Sequence, residues 1–296
     1  MITKISIEHA SVQEKESILD MLFHYLDQLS IPEKPYVTGR PAISKRNLLK
    51  SLVLKTVFQI PSLRKLVAFL KQFSYFRNLC GFTEVPHFST FSRAAGWFRK
   101  EGFDVLNDQL LEIIGNRYSK LAFMDSTALR SSLYDSQAKW SKSTRYKWYR
   151  GYKLHLCMSA DGLILSYQFT TANVYDSVPA PALLQSLSGK QIEIMIADKA
   201  YDSKKVRKAA DQADVFFLSP INKRRSDKRK DSCGRMIPCF LDTSLGKWLM
   251  KQRTDIERQF HILKDKGLEQ PRLFGFNRYL LHVQLSILIH NLEYLF

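Results

Sequence analysis

The sequence predicts an α/β protein: an all-α amino-terminal part, then a mixed sheet flanked by helices. Three observations carry this. In the first third, apolar residues recur at helical spacing, with Ile18, Leu22, Tyr25 and Leu29 on one face. From Lys120 the texture changes to short apolar stretches bounded by turn residues. Those stretches then alternate with helical segments, the pattern of a sheet covered by helices. A chain of 296 residues suits two domains, placed here at 1–117 and 118–296.

In chain order, the first helix leads to a basic, proline-flanked loop, "EKPYVTGRPAIS". Ser44 is placed to cap a helix over "KRNLLKSLVLKTVF". Pro61 and Ser62 open the next, with Leu63, Leu66, Val67 and Leu70 apolar. The turn-rich "NLCGFTEVPHFST" leads to a helix over "FSRAAGWFRK", capped by Ser89 or Thr90, and a further helix runs from about Phe103 to Gly115. Two helices joined through "GFTEVPHFS" fit a helix-turn-helix that offers Arg93, Arg99 and Lys100 to DNA. They fit equally a bundle with a solvated basic face.

"KLAFMDSTAL" reads as a strand, and "GYKLHLCMSADGLILSYQFTTAN" as a hairpin turning at Ala160–Asp161–Gly162. "PAPALLQSL" is a short helix, "EIMIADKAY" a strand, "SKKVRKAADQ" a helix and "VFFLSPI" a strand. A basic insertion at about 222–246 begins with "NKRRSDKRKDSCGR". One long helix over "KWLMKQRTDIERQFHILKDK" and a more apolar one over "RYLLHVQLSILIHNLEYLF" complete the chain, without internal repeats.

Apolar residues make up 45% of the chain, enough for real cores, and the formal charge is +17. That charge makes a polyanion the natural partner, nucleic acid ahead of a membrane surface. No apolar run is long enough to span a bilayer, and Met1–Ala10 is an ordinary polar beginning without a secretory signal. None of Cys80, Cys157, Cys233 and Cys239 forms a C-x-x-C pair, and Cys233 with Cys239 alone approach zinc-ligand spacing. Reduced thiols in a cytoplasmic compartment are the better reading.

Acids stand out against this basic background. Leu121, Phe123 and Asp125 share one strand face; Ile192, Ile194, Ile196 and Asp198 share another. Each apolar stripe thus ends in an aspartate, and sites in α/β sheets form beyond the carboxyl ends of strands. On the long helix, Leu249, Ile256, Phe260 and Leu263 form an apolar stripe beside a polar one of Arg253, Glu257, His261 and Lys264. Asp255 points away from both, so Glu257 is the acid able to lean toward a cleft. Three carboxylates suit a pair of Mg²⁺ ions about 3.5–4 Å apart that holds the attacking and leaving oxygens of a phosphoryl displacement. Plainer roles fit the same residues: Asp198 as a cap, although Ser203 is better placed to cap the following helix, and Glu257 with Arg253 as an i,i+4 pair.

Taken in order, "FMDST", "GYKLHL", "TTANVYDS", "IADKAYDS" and "RTDIERQFHILK" resemble the DDE transposases of bacterial insertion sequences. "GRPAISKRNLLKS" through "PHFSTFSR" resembles the helical domain that commonly precedes their catalytic domain. The resemblance covers about Thr38 to Leu285. It implies an RNase H-like mixed sheet, DNA-end binding by the helical domain, and metal-dependent DNA cleavage and strand transfer. Mg²⁺ is the implied cofactor, two ions per site, with Mn²⁺ substituting. Asp125, Asp198 and Glu257 match the catalytic, metal-holding acids. Arg253 and Lys264 match the signature Y-x2-R-x3-E-x6-K, whose tyrosine is replaced by Met250. The implied partners are double-stranded DNA, both element ends and target, and a second copy or more in the synaptic complex. The implied location is cytoplasmic and nucleoid-associated in a bacterium, without a membrane.

The same resemblance places Lys153 and His155, which share a strand face, near DNA. In "KWSKSTRYKWYRGYK" it favours Arg145, Lys147, Trp148 and Arg150 as DNA contacts, since cations suit phosphates and aromatic rings stack on bases. Arg224 and Arg225 in "NKRRSDKRK" suit a phosphate-binding loop. Asn173 and Asp176 match the family's N…D element, as hydrogen-bonding support or turn formers. Two other functions fit these residues: a metal-dependent nuclease without strand transfer, and a non-catalytic DNA-binding protein derived from a transposase.

Overall fold

The computed structural model describes residues 12–33, 42–222, 237, 240–269 and 275–295, with the backbone alone at 12–17. The leading helices are α1 (Val12–Gln28), α2 (Lys45–Val57), α3 (Leu63–Gln72), α4 (Ser74–Leu79), α5 (Phe88–Trp97) and α6 (Phe103–Ile114). Strands β1 (Leu121–Arg130), β2 (Lys139–Ser143), β3 (Lys147–Ser159) and β4 (Ile164–Thr171) follow. Then come α7 (Ala180–Gln185), β5 (Ile194–Ala197), α8 (Lys204–Gln212), β6 (Phe216–Leu218), α9 (Ser244–Gln252), α10 (Thr254–Asp265) and α11 (Phe276–Glu293). Arg224, Arg225, Cys233 and Cys239 lie outside the described residues.

The chain gathers into two units, Gly115–His261 and Met1–Ile114 with Ile262–Phe296. In the helical unit, α11 packs with α1, α2 and α6. It is apolar on every side: Tyr279, Val283, Leu288 and Leu292 are all wholly buried. A helix of that kind belongs in the middle of a bundle. Its polar residues find partners there. Gln284 Nε2 donates to the Arg99 carbonyl at 3.1 Å, and Asn291 Nδ2 to Asn107 Oδ1 at 3.3 Å. A division at residue 117 places this helix in the second domain, and its contacts are with the amino-terminal helices.

Two capping assignments change. Ser44 precedes α2 but makes no cap bond. The Glu33 carboxylate does the work, accepting from the Lys45 N–H at 2.7 Å and the Ser44 hydroxyl at 2.9 Å. A full negative charge at a helix N-terminus outdoes a hydroxyl. The cap of α5 is His87, whose ring accepts from the Ser89 N–H, in place of Ser89 or Thr90. Ser62, at the predicted start of α3, caps it, accepting from the Lys65 N–H at 3.2 Å.

The second unit is built on a mixed six-stranded sheet. β1 is central, antiparallel to β3 on one side and parallel to β5 on the other; β6 extends β5 in parallel, and β4 pairs with β3. "KWSKSTRYKWYRGYK" forms the β2–β3 hairpin. The glycine of "GYK" has a steric reason: a Cβ on Gly151 would sit 2.0 Å from the Leu129 carbonyl oxygen of β1. Gly162, at φ +103°, makes the predicted turn between β3 and β4. Helices α7 and α8 pack together, α7 also against β3 and β4 and α8 against β6.

Candidate active site

Strand register sets the first two acids. β1 and β5 run parallel with Met124 beside Ala197, so the next residue on each, Asp125 and Asp198, emerges at one end of two neighbouring strands. There the strands part. β1 continues to Arg130 on its β3 pairing, while β5 stops and Asp198 opens a short 3₁₀ turn over Lys199–Tyr201. The Asp198 carboxylate accepts the Lys199 N–H at 2.6 Å. Capping is therefore part of what Asp198 does, but only for this turn. Ser203 caps α8, accepting from the Val206 N–H at 3.3 Å. A strand that stops beside one that continues leaves a step where carboxylates can meet a ligand.

The third acid reaches this step through an arginine. Asp125 Oδ1 accepts from the Ser126 N–H at 2.7 Å, and Oδ2 from Arg253 Nη1 at 3.2 Å. Arg253 Nη2 lies 3.3 Å from Glu257 Oε1. One guanidinium thus links the first and third predicted acids. The long helix expected over this segment is broken at Arg253, between α9 and α10. The Thr254 hydroxyl bonds the Lys251 carbonyl at 2.9 Å, a local bond that competes with the helical ladder. Leu249, Ile256, Phe260 and Leu263 are all buried, as the apolar stripe predicts. Burial pushes the Asp125 carboxyl up to about 7; Asp198 and Asp176 add to this, while the Ser126 N–H and Arg253 oppose it.

Among the described residues, no three His, Cys, Asp or Glu side chains stand together as a ready metal-holding group. The donor chemistry nevertheless fits a hard divalent cation. Carboxylate oxygens are its preferred ligands. Asp125, buried beside other acids, carries the strain in charge that such a cation relieves.

A second cluster occupies the other face of β1. Side chains alternate along the strand, so Ser126 faces away from Asp125. His155 lies across from Ser126 on β3, and Lys153 shares its face. These side chains gather around Asp176, in the segment after β4. Ser126 Oγ and Lys153 Nζ each donate to Asp176 Oδ1 at 3.0 Å, and His155 Nδ1 lies 3.9 Å from the same oxygen. Lys153 Nζ also donates to the Val174 carbonyl at 3.0 Å. His155 is wholly buried, with Nε2 2.9 Å from Thr170 Oγ1, and burial pushes its ring toward the neutral form. The DNA contact expected of His155 is corrected accordingly: an imidazole without surface serves the protein interior. Asp176 is the hydrogen-bonding support that its motif suggested. Asn173 accepts from the Thr171 hydroxyl at 2.8 Å, as a turn residue would.

The remaining predicted contacts divide by exposure. Arg145, Lys147 and Trp148 are exposed on the hairpin, with Lys142 Nζ 4.5 Å above the Trp148 ring and the Arg145 guanidinium 5.1 Å from Tyr146. Arg150 is turned to structure: Nε donates to the Ala138 carbonyl at 3.2 Å and Nη1 to the Leu133 carbonyl at 2.6 Å. Arg93 is exposed on α5. Lys264 pairs with Glu269 at 2.8 Å, both side chains largely covered. Two residues escaped the sequence reading. Ser126 was signalled only by following Asp125. Tyr201, wholly buried near Ser126, Asp125 and Asp176, has its phenol pushed well above its usual range by burial.

The chain belongs to the transposase DDE domain family, whose model matches residues 119–292. A second family model, a transposase domain (DUF772), matches residues 7–96. The protein is therefore a DDE-type transposase, an enzyme class that acts on DNA. A search of curated proteins finds no match. Among the described residues no helix is long and apolar enough to cross a membrane.

Proposed function

We propose that this transposase binds the terminal inverted repeats of its own insertion sequence, cleaves the DNA there and joins the freed 3′-OH to target DNA. The observation that carries this reading is the meeting of Asp125 and Asp198 at the ends of neighbouring parallel strands, with Arg253 tying Glu257 to Asp125. Asp125, Asp198 and Glu257 would hold two Mg²⁺ ions, or Mn²⁺ in their place. When bound, the metal pair would polarise the scissile phosphate and lower the pKa of the attacking water. The chain's own part is positioning. The Ser126 N–H fixes one oxygen of Asp125, and the Lys199 N–H fixes one of Asp198. Arg253 can turn from the two acids to a substrate phosphate, a role that Lys264 would share. Lys153 supports the site from behind. The exposed Arg145, Lys147 and Trp148 of the hairpin and Arg93 of α5 would contact the duplex, with Arg224 and Arg225 as further phosphate contacts. Holding two ends together requires at least a dimer on DNA.

The test uses full-length protein, duplexes carrying the element ends, and Mg²⁺ or Mn²⁺. Asp125→Asn, Asp198→Asn and Glu257→Gln are each expected to slow cutting and joining by about a thousandfold or more while DNA binding persists. Normal rates in all three variants would sink the assignment. Nicked products without joined ones would make the enzyme a nuclease. DNA binding by the wild-type protein with no metal-dependent cutting would make it a binding protein.

A further inference from the structure

We propose that Asp176 is a positioning residue for Asp125, acting through Ser126. The inference rests on the reading of Asp125 as a catalytic carboxylate. Asp125 lies just past the last registered pair between β1 and β5. Its backbone keeps its ladder to β3 on one side but has run beyond the ladder to β5 on the other. In such a place the direction of the carboxylate depends on local bonds. One of its oxygens is set by the Ser126 N–H at 2.7 Å, so the plane of the peptide joining the two residues aims it.

That peptide is held from the opposite face. The Ser126 hydroxyl donates to Asp176 Oδ1 at 3.0 Å. Asp176 is in turn fixed by Lys153, whose ammonium donates to the same oxygen and to the Val174 carbonyl, both at 3.0 Å. Lys153 belongs to β3, the strand paired with β1 at this point. The segment after β4 is thereby pinned across two strands by one carboxylate oxygen. His155 Nδ1 points a third polar atom at that oxygen from 3.9 Å and has no nearer partner.

The chain of contacts runs from Asp176 through the Ser126 side chain and the Ser126 N–H to Asp125. Removing Asp176 takes the shared acceptor from a hydroxyl and an ammonium at once. The peptide before Ser126 is then held by its ladder to β3 alone, and the Asp125 carboxylate is less firmly aimed. A displacement of about 1 Å in a reacting group is enough to cost on the order of 100-fold in rate. A purely structural brace would act differently, lowering stability without singling out the chemical step.

The experiment measures cleavage of an element-end duplex by the full-length protein: the rate at saturating DNA, the half-saturating DNA concentration and the thermal midpoint. Asp176→Ala is expected to lower the saturated rate roughly 10–100-fold and to leave half-saturation within about twofold. Asp176→Asn keeps a carbonyl oxygen for Ser126 and Lys153 and is expected to recover most of the rate. Ser126→Ala cuts the link but spares the Asp176–Lys153 pair, and is expected to reproduce the fall. It also decides the matter if Asp176→Ala does not fold. Saturated rates within about twofold of wild type in Ser126→Ala and any folded Asp176→Ala overturn the proposal. So does a change confined to half-saturation, or an Asn variant as slow as the Ala one. An Asp125→Asn control separates the two levels. Normal cutting by that control removes the catalytic assignment itself, whereas a dead control beside a fully active Ser126→Ala removes only the inference.

Discussion

On one face of β1, Asp176 collects a hydroxyl and an ammonium on a single oxygen, with an imidazole close behind. On the other, Asp125 has one backbone N–H and one arm of a guanidinium that it shares with Glu257. Both carboxylates are mostly covered, yet the surroundings of Asp125 push it up to about 7 and have other acids among their causes. The contrast separates two uses of an acid. Asp176 is compensated by the protein and holds strands and loop together. Asp125 is left short of positive charge, which is a cost in an empty fold and the requirement of a site that takes cations.

The largest test of this contrast is Asp125→Asn. Catalysis should fall by about a thousandfold or more, while the metal-free protein becomes more stable. The folded pKa of about 7 lies above the ordinary 3.8, so the folded state keeps a proton that the unfolded state gives up. Stability contributed by Asp125 therefore falls as pH rises from about 4 to about 7 and stays low above that window. Asparagine escapes this loss. Its advantage over wild type should be absent below pH 4 and reach on the order of 2–4 kcal/mol by pH 8. Urea unfolding in a metal chelator across that range measures it, and an advantage that does not vary with pH would mean that Asp125 is compensated like Asp176.

Lys153→Met probes the other face. It leaves Asp176 with hydrogen-bond donors but no opposite charge, in a pair whose side chains are 14% and 23% exposed. A fully buried pair broken this way costs about 3–5 kcal/mol, and partial exposure brings the expectation to about 2–3 kcal/mol. A loss below about 0.5 kcal/mol would place Lys153 among the surface pairs and remove the contrast.

Much of this arrangement was legible in the sequence, and the remainder was hidden for physical reasons. Alternation along "LAFMDS" and "EIMIADK" located both aspartates, because strand periodicity is a local property. The stripe of Leu249, Ile256, Phe260 and Leu263 was legible for the same reason. Alternation also put Lys153 and His155 on one face, but it cannot say whether that face is covered; the segment carrying Asp176 covers it. Caps failed where the donor's partner came from outside the usual position, as Glu33 does for α2. The break at Arg253 depends on one threonine hydroxyl bonding backwards, which helical periodicity does not register. A helix apolar on all sides, such as α11, says that it is central but not to which unit.

Arg253→Ala should have the smallest effect on stability and is the sharpest test of how the two faces differ. The guanidinium lowers the Asp125 pKa, so its removal should move that carboxyl further above about 7. Below pH 7 wild-type Asp125 is already largely protonated in the fold, and the lost ion pair should cost under about 1 kcal/mol. Above pH 7 the wild type ionises against Arg253 while the variant must ionise without it or keep its proton. The difference in stability should therefore open only on the alkaline side and level off past the variant's own pKa. Carboxyl NMR of the metal-free protein reads the shift, and urea midpoints at pH 6 and pH 8 read the energy. If Arg253→Ala at pH 6 costs as much as Lys153→Met, Arg253 braces the fold as Lys153 does. If the cost is confined to the alkaline side, Arg253 is a counter-charge held in place of cations, and Asp125 is the acid kept ready for them.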